Sequence, residues 1–264
     1  HLSLRRQRQM CIRDSVPPAD ARPPVDLMVE AARSAERDAG GGLLARADVV
    51  AVVAIASWPY PDPAAFLARR LGIEPAATMV STVGGNSPQL LVDELAAAIG
   101  RGECDVALIG GAEAMHTRWR ARRDPPVDLT WEDGGDPPCL RVVGDDRPGT
   151  SPYEEAHFAL APTMVYPLFE TALRAEAGES VEVHRVRVSE LWARFSEVAA
   201  TNPAAWTRAA RSAAEIRTVG PENRMVVAPY PKLMCANIDV DQGAALLLCS
   251  YEAAQRAGVT EDRM

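Results

Sequence analysis

The sequence predicts an α/β fold built around a parallel sheet, and three observations carry that reading. First, Asp48–Ser57 (DVVAVVAIAS) is apolar and β-branched on both faces, as in a strand buried inside a parallel sheet. Second, two further short apolar runs, Ala77–Val83 and Asp105–Ile109, follow at intervals filled by helix-period sequence. Third, these intervals have the length of βαβ crossovers, which join parallel strands.

Each element can be justified in order. Val25–Ala39 places Leu27, Met28, Ala31 and Ala35 on one helical stripe, and Gly40–Gly42 ends it. Pro59–Pro63 is a stiff loop before a helix at Ala64–Leu71, which Gly72 closes. A helix over Ser87–Ile99 puts Leu91, Leu95 and Ala98 on one face. From His116 the texture becomes charged and proline-rich up to Thr163. Helical stretches are expected at Met164–Ala177 and Val181–Ala200, and Thr201–Trp206 is expected to open another. Pro229–Leu233 returns the chain, Asp241–Cys249 is a fourth apolar strand, and Ser250–Ala257 is the helix after it.

This pattern gives a core made of residues 16–115 and 232–264, with a mostly helical excursion over 116–231. Residues 1–15, HLSLRRQRQMCIRDS, carry four arginines and no apolar period, and MCIRDS resembles a translated sequencing-adaptor scar. They are read as lying outside the fold. The end at Glu261–Met264 has no helix stop, so the chain is expected to be a piece of a longer protein.

The formal net charge of -8 argues against general nucleic-acid or membrane-surface binding, which needs a basic face. No apolar run is long enough to span a bilayer. The five cysteines, Cys11, Cys104, Cys139, Cys235 and Cys249, show no metal-ligand spacing. Reduced thiols in a cytoplasmic protein, with no bound metal, are the expectation.

The stretch Ser81–Gln89, STVGGNSPQ, runs from a strand through Gly84-Gly85 into a helix. Asn86 can cap that helix in an Asn-x-x-Gln box with Gln89, or Ser87 can cap it with Pro88 at the first helical position. Either way, a helix N-terminus suits an anion, an oxyanion or a thiolate. The alternative is a tight turn with no ligand. A second motif, Gly110-Gly-Ala-Glu-Ala-Met115, ends the third strand, and Asn237-Ile-Asp-Val-Asp-Gln-Gly-Ala-Ala245 precedes the fourth.

Together these segments resemble the thiolase superfamily, in particular the actinobacterial thiolase-like acetyl-CoA acetyltransferases near the sterol-carrier-protein type. The motif residues Gly110, Gly111, Glu113, Met115, Asn237, Asp241 and Gly243 carry the likeness, which extends over nearly all of residues 16–264. It implies the N-terminal half of a five-layer αβαβα fold, with a loop domain inserted. It also implies a coenzyme A thioester as substrate or ligand, a place in lipid metabolism, and a homodimeric full-length parent. A thiolase has Cys-x-Ser-Gly at the nucleophile corner, and alignment through the helix sets Gly85 at the cysteine, Ser87 at the serine and Pro88 at the glycine.

That departure divides the functional readings. An acyl-enzyme cannot form on Gly85, and Ser87 is the substitute nucleophile to consider beside its commoner capping role. Gly84, Gly85, Asn86 and Ser87 remain candidates to hold an acyl-CoA. Arg118, Arg120, Arg122 and Arg123 form a basic run that can face its phosphates, or a solvated loop offset by Asp124 and Asp128. Cys104, Cys235 and Cys249 read as core residues, and His116, His157 and His184 as surface or packed side chains. The readings are a thiolase-type acyltransferase, a non-catalytic acyl-CoA-binding relative with a degenerate site, and a condensing enzyme on acyl carrier protein substrates.

Overall fold

A computed structural model describes residues 2–10, 18–123, 125–157 and 161–263. Cys11, Asp124 and most of the MCIRDS string lie outside the described residues. In chain order the elements are β1 (Leu2–Met10), α1 (Pro24–Ala39), β2 (Val49–Val52), α2 (Pro63–Leu71), β3 (Ala77–Ser81), α3 (Ser87–Gly100), β4 (Val106–Ala114), α4 (Met115–Ala121) and β5 (Val142–Val143). There follow α5 (Pro152–Ala156), α6 (Pro162–Glu176), α7 (Val181–Thr201), α8 (Ala213–Arg217), β6 (Met225–Val227), β7 (Tyr230–Pro231), β8 (Asp241–Ser250) and α9 (Tyr251–Ala257).

Two units result, one of residues 1–146 with 238–264 and one of Arg147–Asn237. The excursion expected to begin at 116 therefore begins some thirty residues later. Its first part stays with the sheet: α4 follows β4 directly, and β5 pairs in parallel with Val80 and Ser81 of β3. Arg69 of α2 also holds this stretch, donating to Asp136 at 2.7 Å and to the Gly134 carbonyl at 2.7 Å.

The sheet of the first unit has the order β1-β8-β4-β2-β3-β5. β2 pairs in parallel with β3 and β4, as the crossovers require. β8 runs antiparallel to β4, so the sheet is mixed rather than wholly parallel. The reason is topological: after the excursion the chain re-enters at the end where β4 stops, with Asp241 opposite Ala114. β1 pairs antiparallel with the whole of β8, from Leu2 opposite Ser250 to Met10 opposite Gln242, so Leu2–Met10 has a place in the sheet.

Both sheet faces are covered. On one face Val50, Val52, Leu108, Ala245 and Leu247 pack under Leu27, Met28, Ala31 and Leu67 from α1 and α2. On the other, Ala51, Met79, Ala107, Ile109 and Leu248 pack against Leu91, Leu95 and Ala98 of α3. All four residues of β2 are buried, which is why its sequence does not alternate. Strand and helix identities follow the sequence expectation, with two shifts. β2 stops at Val52 and its expected continuation is a loop, while β4 extends through the Gly-Gly-Ala-Glu-Ala segment to Ala114.

In the second unit, α6 and α7 form where the apolar period predicts them. No helix opens at Thr201. α7 ends there, and the next helix is α8, with Ser212 and Glu215 forming a reciprocal capping box. At Thr201–Trp206 the Asn202 side chain accepts from the Ala204 N–H at 2.9 Å, but the turn it makes is not continued as a helix.

Candidate functional site

The corner at the C-terminal end of β3 is built by two serines. Ser81 Oγ accepts from the Ala54 N–H at 3.1 Å and donates to the Thr82 carbonyl at 2.9 Å. Ser87 Oγ donates to the same carbonyl at 2.7 Å. Ser87 is only 2% exposed, so its hydroxyl is a buried pin and not a presented nucleophile. That arrangement weighs against Ser87 as a substitute nucleophile.

The capping expectation also fails. Asn86 has helical backbone angles (φ -91°, ψ -8°) and no side-chain cap bond. A capping side chain works from an extended backbone, which Asn86 does not have. Gln89 turns outward and donates to Asp93 at 2.8 Å. Among the described residues, no protein group accepts from the N–H of Gly85 or Asn86. Val83, Gly84, Gly85 and Asn86 are all exposed, so the mouth of α3 presents amide donors to whatever binds there.

Gly85 has open space where a side chain would stand: a Cβ built on it meets no atom within 4 Å. Gly84 differs, since its Cβ would lie 2.9 Å from Asn86 Oδ1 and 3.0 Å from Ser87 Oγ. The first position is open and the second is closed.

The loop after β2 ties this corner to the end of β4. Its Ala54 bonds Ser81, while its Ala56 and Ser57 N–H groups both donate to the Glu113 carboxylate at 2.8 Å. Ser57 Oγ returns the favour, accepting from the Ala114 N–H at 2.9 Å. Glu113 is thus a structural anchor, fully engaged by backbone donors. Glu113→Ala should cost about 2 kcal/mol, the worth of charged hydrogen bonds to two backbone amides, read as a lowered urea midpoint. Glu113→Gln should recover part of that loss.

Asp241 plays the same part for α4, accepting from Thr117 N at 3.1 Å and Thr117 Oγ1 at 2.5 Å. The motif glycines serve packing. A Cβ on Gly243 would lie 2.6 Å from the Leu27 carbonyl oxygen, and one on Gly110 would lie 3.0 Å from Leu67 Cδ2. These residues let α1 and α2 lie close on β8 and β4. Met115 is half-buried at the start of α4, and Asn237 is exposed at the end of the second unit.

The arginine run lies on and after α4 and does not converge. Arg118 donates to the Ala56 carbonyl at 2.7 Å, within the loop tied to the corner. Arg123 stacks on the Trp119 ring at 3.3 Å. Arg120 is half-buried and Arg122 exposed. Through its bond to Ala56, Arg118 is joined to the elements of the corner.

Burial pushes the Cys104, Cys139, Cys235 and Cys249 thiols up, the opposite of an activated nucleophile. Ser57, Ser81 and Thr117 were missed by sequence reasoning. Each is an ordinary hydroxyl whose partner is distant in sequence, and nothing local marks it. No group of His, Cys, Asp and Glu among the described residues could hold a metal ion. No helix among them is long and apolar enough to cross a membrane.

No family model and no curated protein matches the chain. Solved structures do. A monomeric SCP2-thiolase-like protein type 1 from Mycobacterium smegmatis is 31% identical, with a TM-score of 0.72 over 99% of this chain and 47% of that protein. An Ltp2–ChsH2(DUF35) aldolase matches with a TM-score of 0.59 at 20% identity, over 96% of this chain and 55% of that one. Human mitochondrial 3-ketoacyl-CoA thiolase matches at 0.55 and 14% identity, over 98% of this chain and 68% of that one. The last two are likenesses of fold alone. The chain spans about half the length of the Mycobacterium smegmatis protein. That protein is described as monomeric, in contrast to the homodimer that the resemblance to thiolases implies. With this sheet order and the ordered motifs placed on it, the chain is a member of the thiolase-like superfamily.

Proposed function

We propose that this chain belongs to an SCP2-thiolase-like protein that binds a coenzyme A thioester at the mouth of α3 without forming an acyl-enzyme. One observation carries the reading: at the corner where the superfamily's nucleophile is expected, Gly85 has no side chain and Ser87 is buried and bonded to Thr82. What remains is a set of amide donors at a helix N-terminus, suited to a thioester carbonyl or another anionic oxygen. Arg118, beside the loop tied to the corner, is the member of the basic run best placed to meet a phosphate.

Calorimetry with acetyl-CoA, paired with intact-mass measurement, tests this. Binding without any covalent adduct is the expected result. An acetyl adduct on a serine or cysteine would overturn it in favour of covalent acyl transfer, and no binding would overturn it altogether. Replacing Arg118, Arg120, Arg122 and Arg123 by alanine should weaken binding and flatten its salt dependence, with the Arg118 change accounting for most of the loss.

A further inference from the structure

The sheet of the first unit ends just beyond β3, and an open strand edge is a template for another chain. β3 would make a good one. Ala76–Val83 carries no charge and no proline, and Thr78, Val80, Thr82 and Val83 are β-branched. The Ala77 N–H faces β2, bonding the Asp48 carbonyl at 3.2 Å. By alternation, the Val80 and Thr82 amides point to the outer edge.

That edge is covered. Residues 134–144 cross it from α2 to α3 as a strap, pinned at each step. On α2, Arg69 holds Asp136 and the Gly134 carbonyl, and a Cβ on Gly134 would stand 2.8 Å from Cγ of the Phe66 ring. In the loop before α2, the Pro61 carbonyl accepts from the Cys139 N–H at 3.1 Å. Along β3, the Val80 N–H donates to the Arg141 carbonyl at 3.0 Å and the Thr82 N–H to the Val143 carbonyl at 2.9 Å. On α3, Arg141 donates to Glu94 at 3.0 Å. Gly144, at φ +114°, lies where any side chain would run into Thr82 and crowd Leu90.

The strap closes β3 without offering an edge in its place. β5 is two residues long, and the left-handed Gly144 follows it at once. Its approach, Pro137-Pro138, has no N–H to donate, and Arg141 adds a charge. Val143 packs against the core, but Leu140 and Val142 are exposed, so the strap buries little of its own. A segment that buries so little and is pinned so often serves the edge beneath it.

We propose that residues 134–144 are an edge cover, which keeps a second copy of this chain from adding its own β3 to the sheet. Once uncovered, the edge pairs best with itself. A two-fold axis sets β3 antiparallel to β3 of another copy, and Ala76–Val83 opposes no like charges in that pairing. Nothing in this depends on what the α3 corner binds.

The test replaces residues 134–144 of the intact chain with a glycine-serine linker of equal length, which removes the ion pairs, the prolines and Val143 together. In sedimentation velocity over a concentration series, this variant should dimerise at least about tenfold more tightly than the parent chain associates, the worth of a few cross-strand pairs. Amide exchange locates the contact. At high dilution the Val80 and Thr82 amides should exchange at least about tenfold faster than in the parent chain, and they should regain protection as the dimer forms. Arg69→Ala combined with Arg141→Ala is the second variant, cutting the ion pair at each end and leaving the backbone in place. Both readouts should move the same way there by a smaller step. Association no tighter than that of the parent chain, in either variant, would overturn the proposal. So would a dimer in which the Val80 and Thr82 amides still exchange, or amides that stay protected in the diluted linker variant, since the edge would then be closed without the strap's side chains.

Discussion

Gly243→Val is expected to destabilise the first unit by about 3 kcal/mol, the upper end for overpacking a core, lowering its Tm by roughly 10 °C. Gly243 lies in β8 where α1 crosses, and its Cβ would be placed 2.6 Å from the Leu27 carbonyl oxygen and 2.8 Å from its carbon. Those are backbone atoms, so no rotamer change relieves the clash. The whole of α1 must move, and with it the packing of Leu27, Met28 and Ala31 on Leu247 and Leu108. Thermal unfolding followed by circular dichroism checks this. Gly110→Ala is the milder control, because its nearest neighbour is the end of the Leu67 side chain. A Tm for Gly243→Val equal to that of the parent chain would mean α1 does not sit where the structure puts it.

Gly85→Cys is expected to leave stability unchanged and to install a thiol more reactive than any of the four described native ones. A Cβ there has open space, and the new sulfur would stand at the N-terminus of a fourteen-residue helix, α3. Unpaired amides and the helix dipole lower a thiol's pKa at such a position. The described native thiols are shifted the other way by burial. Alkylation by iodoacetamide near neutral pH, followed by peptide mapping, should therefore modify position 85 at least about tenfold faster than Cys104, Cys139, Cys235 or Cys249. Equal rates would show that the mouth of α3 does not favour an anion. Incubation with acetyl-CoA gives the second readout: acetylation at position 85 in this variant, and none in the parent chain, would place the thioester at the corner.

Much of the fold was legible because its signals are local. The apolar runs of β2, β3, β4 and β8 and the stripes of α1, α2, α3, α6 and α7 lie within single segments, where periodicity reports burial directly. The antiparallel course of β8 was not legible, since it depends on which end of the sheet the chain re-enters after ninety-one residues of excursion, Arg147–Asn237. The position of Gly85 at the corner was legible from the spacing between motifs. The roles of its neighbours were not. Asn86 and Ser87 are both good capping residues by type, but the backbone of Asn86 is already helical, and the Ser87 hydroxyl finds a carbonyl five residues back. Glu113 was legible as a motif residue, but not what its carboxylate holds. Its two backbone donors, Ala56 and Ser57, lie more than fifty residues away in sequence, and only the folded sheet brings them together.

The double use of the Thr82 carbonyl has a consequence for how a ligand would arrive. Ser81 from the strand and Ser87 from the helix both donate to that one oxygen, so the turn between them is fixed from inside the protein. A guest entering the mouth of α3 does not have to order a floppy loop first. The entropy of arranging the donors is already spent during folding, and no fraction of the population is held back in a non-binding form. Association should follow simple one-step kinetics, its rate proportional to ligand concentration without a plateau, as in a socket that is shaped before it is filled.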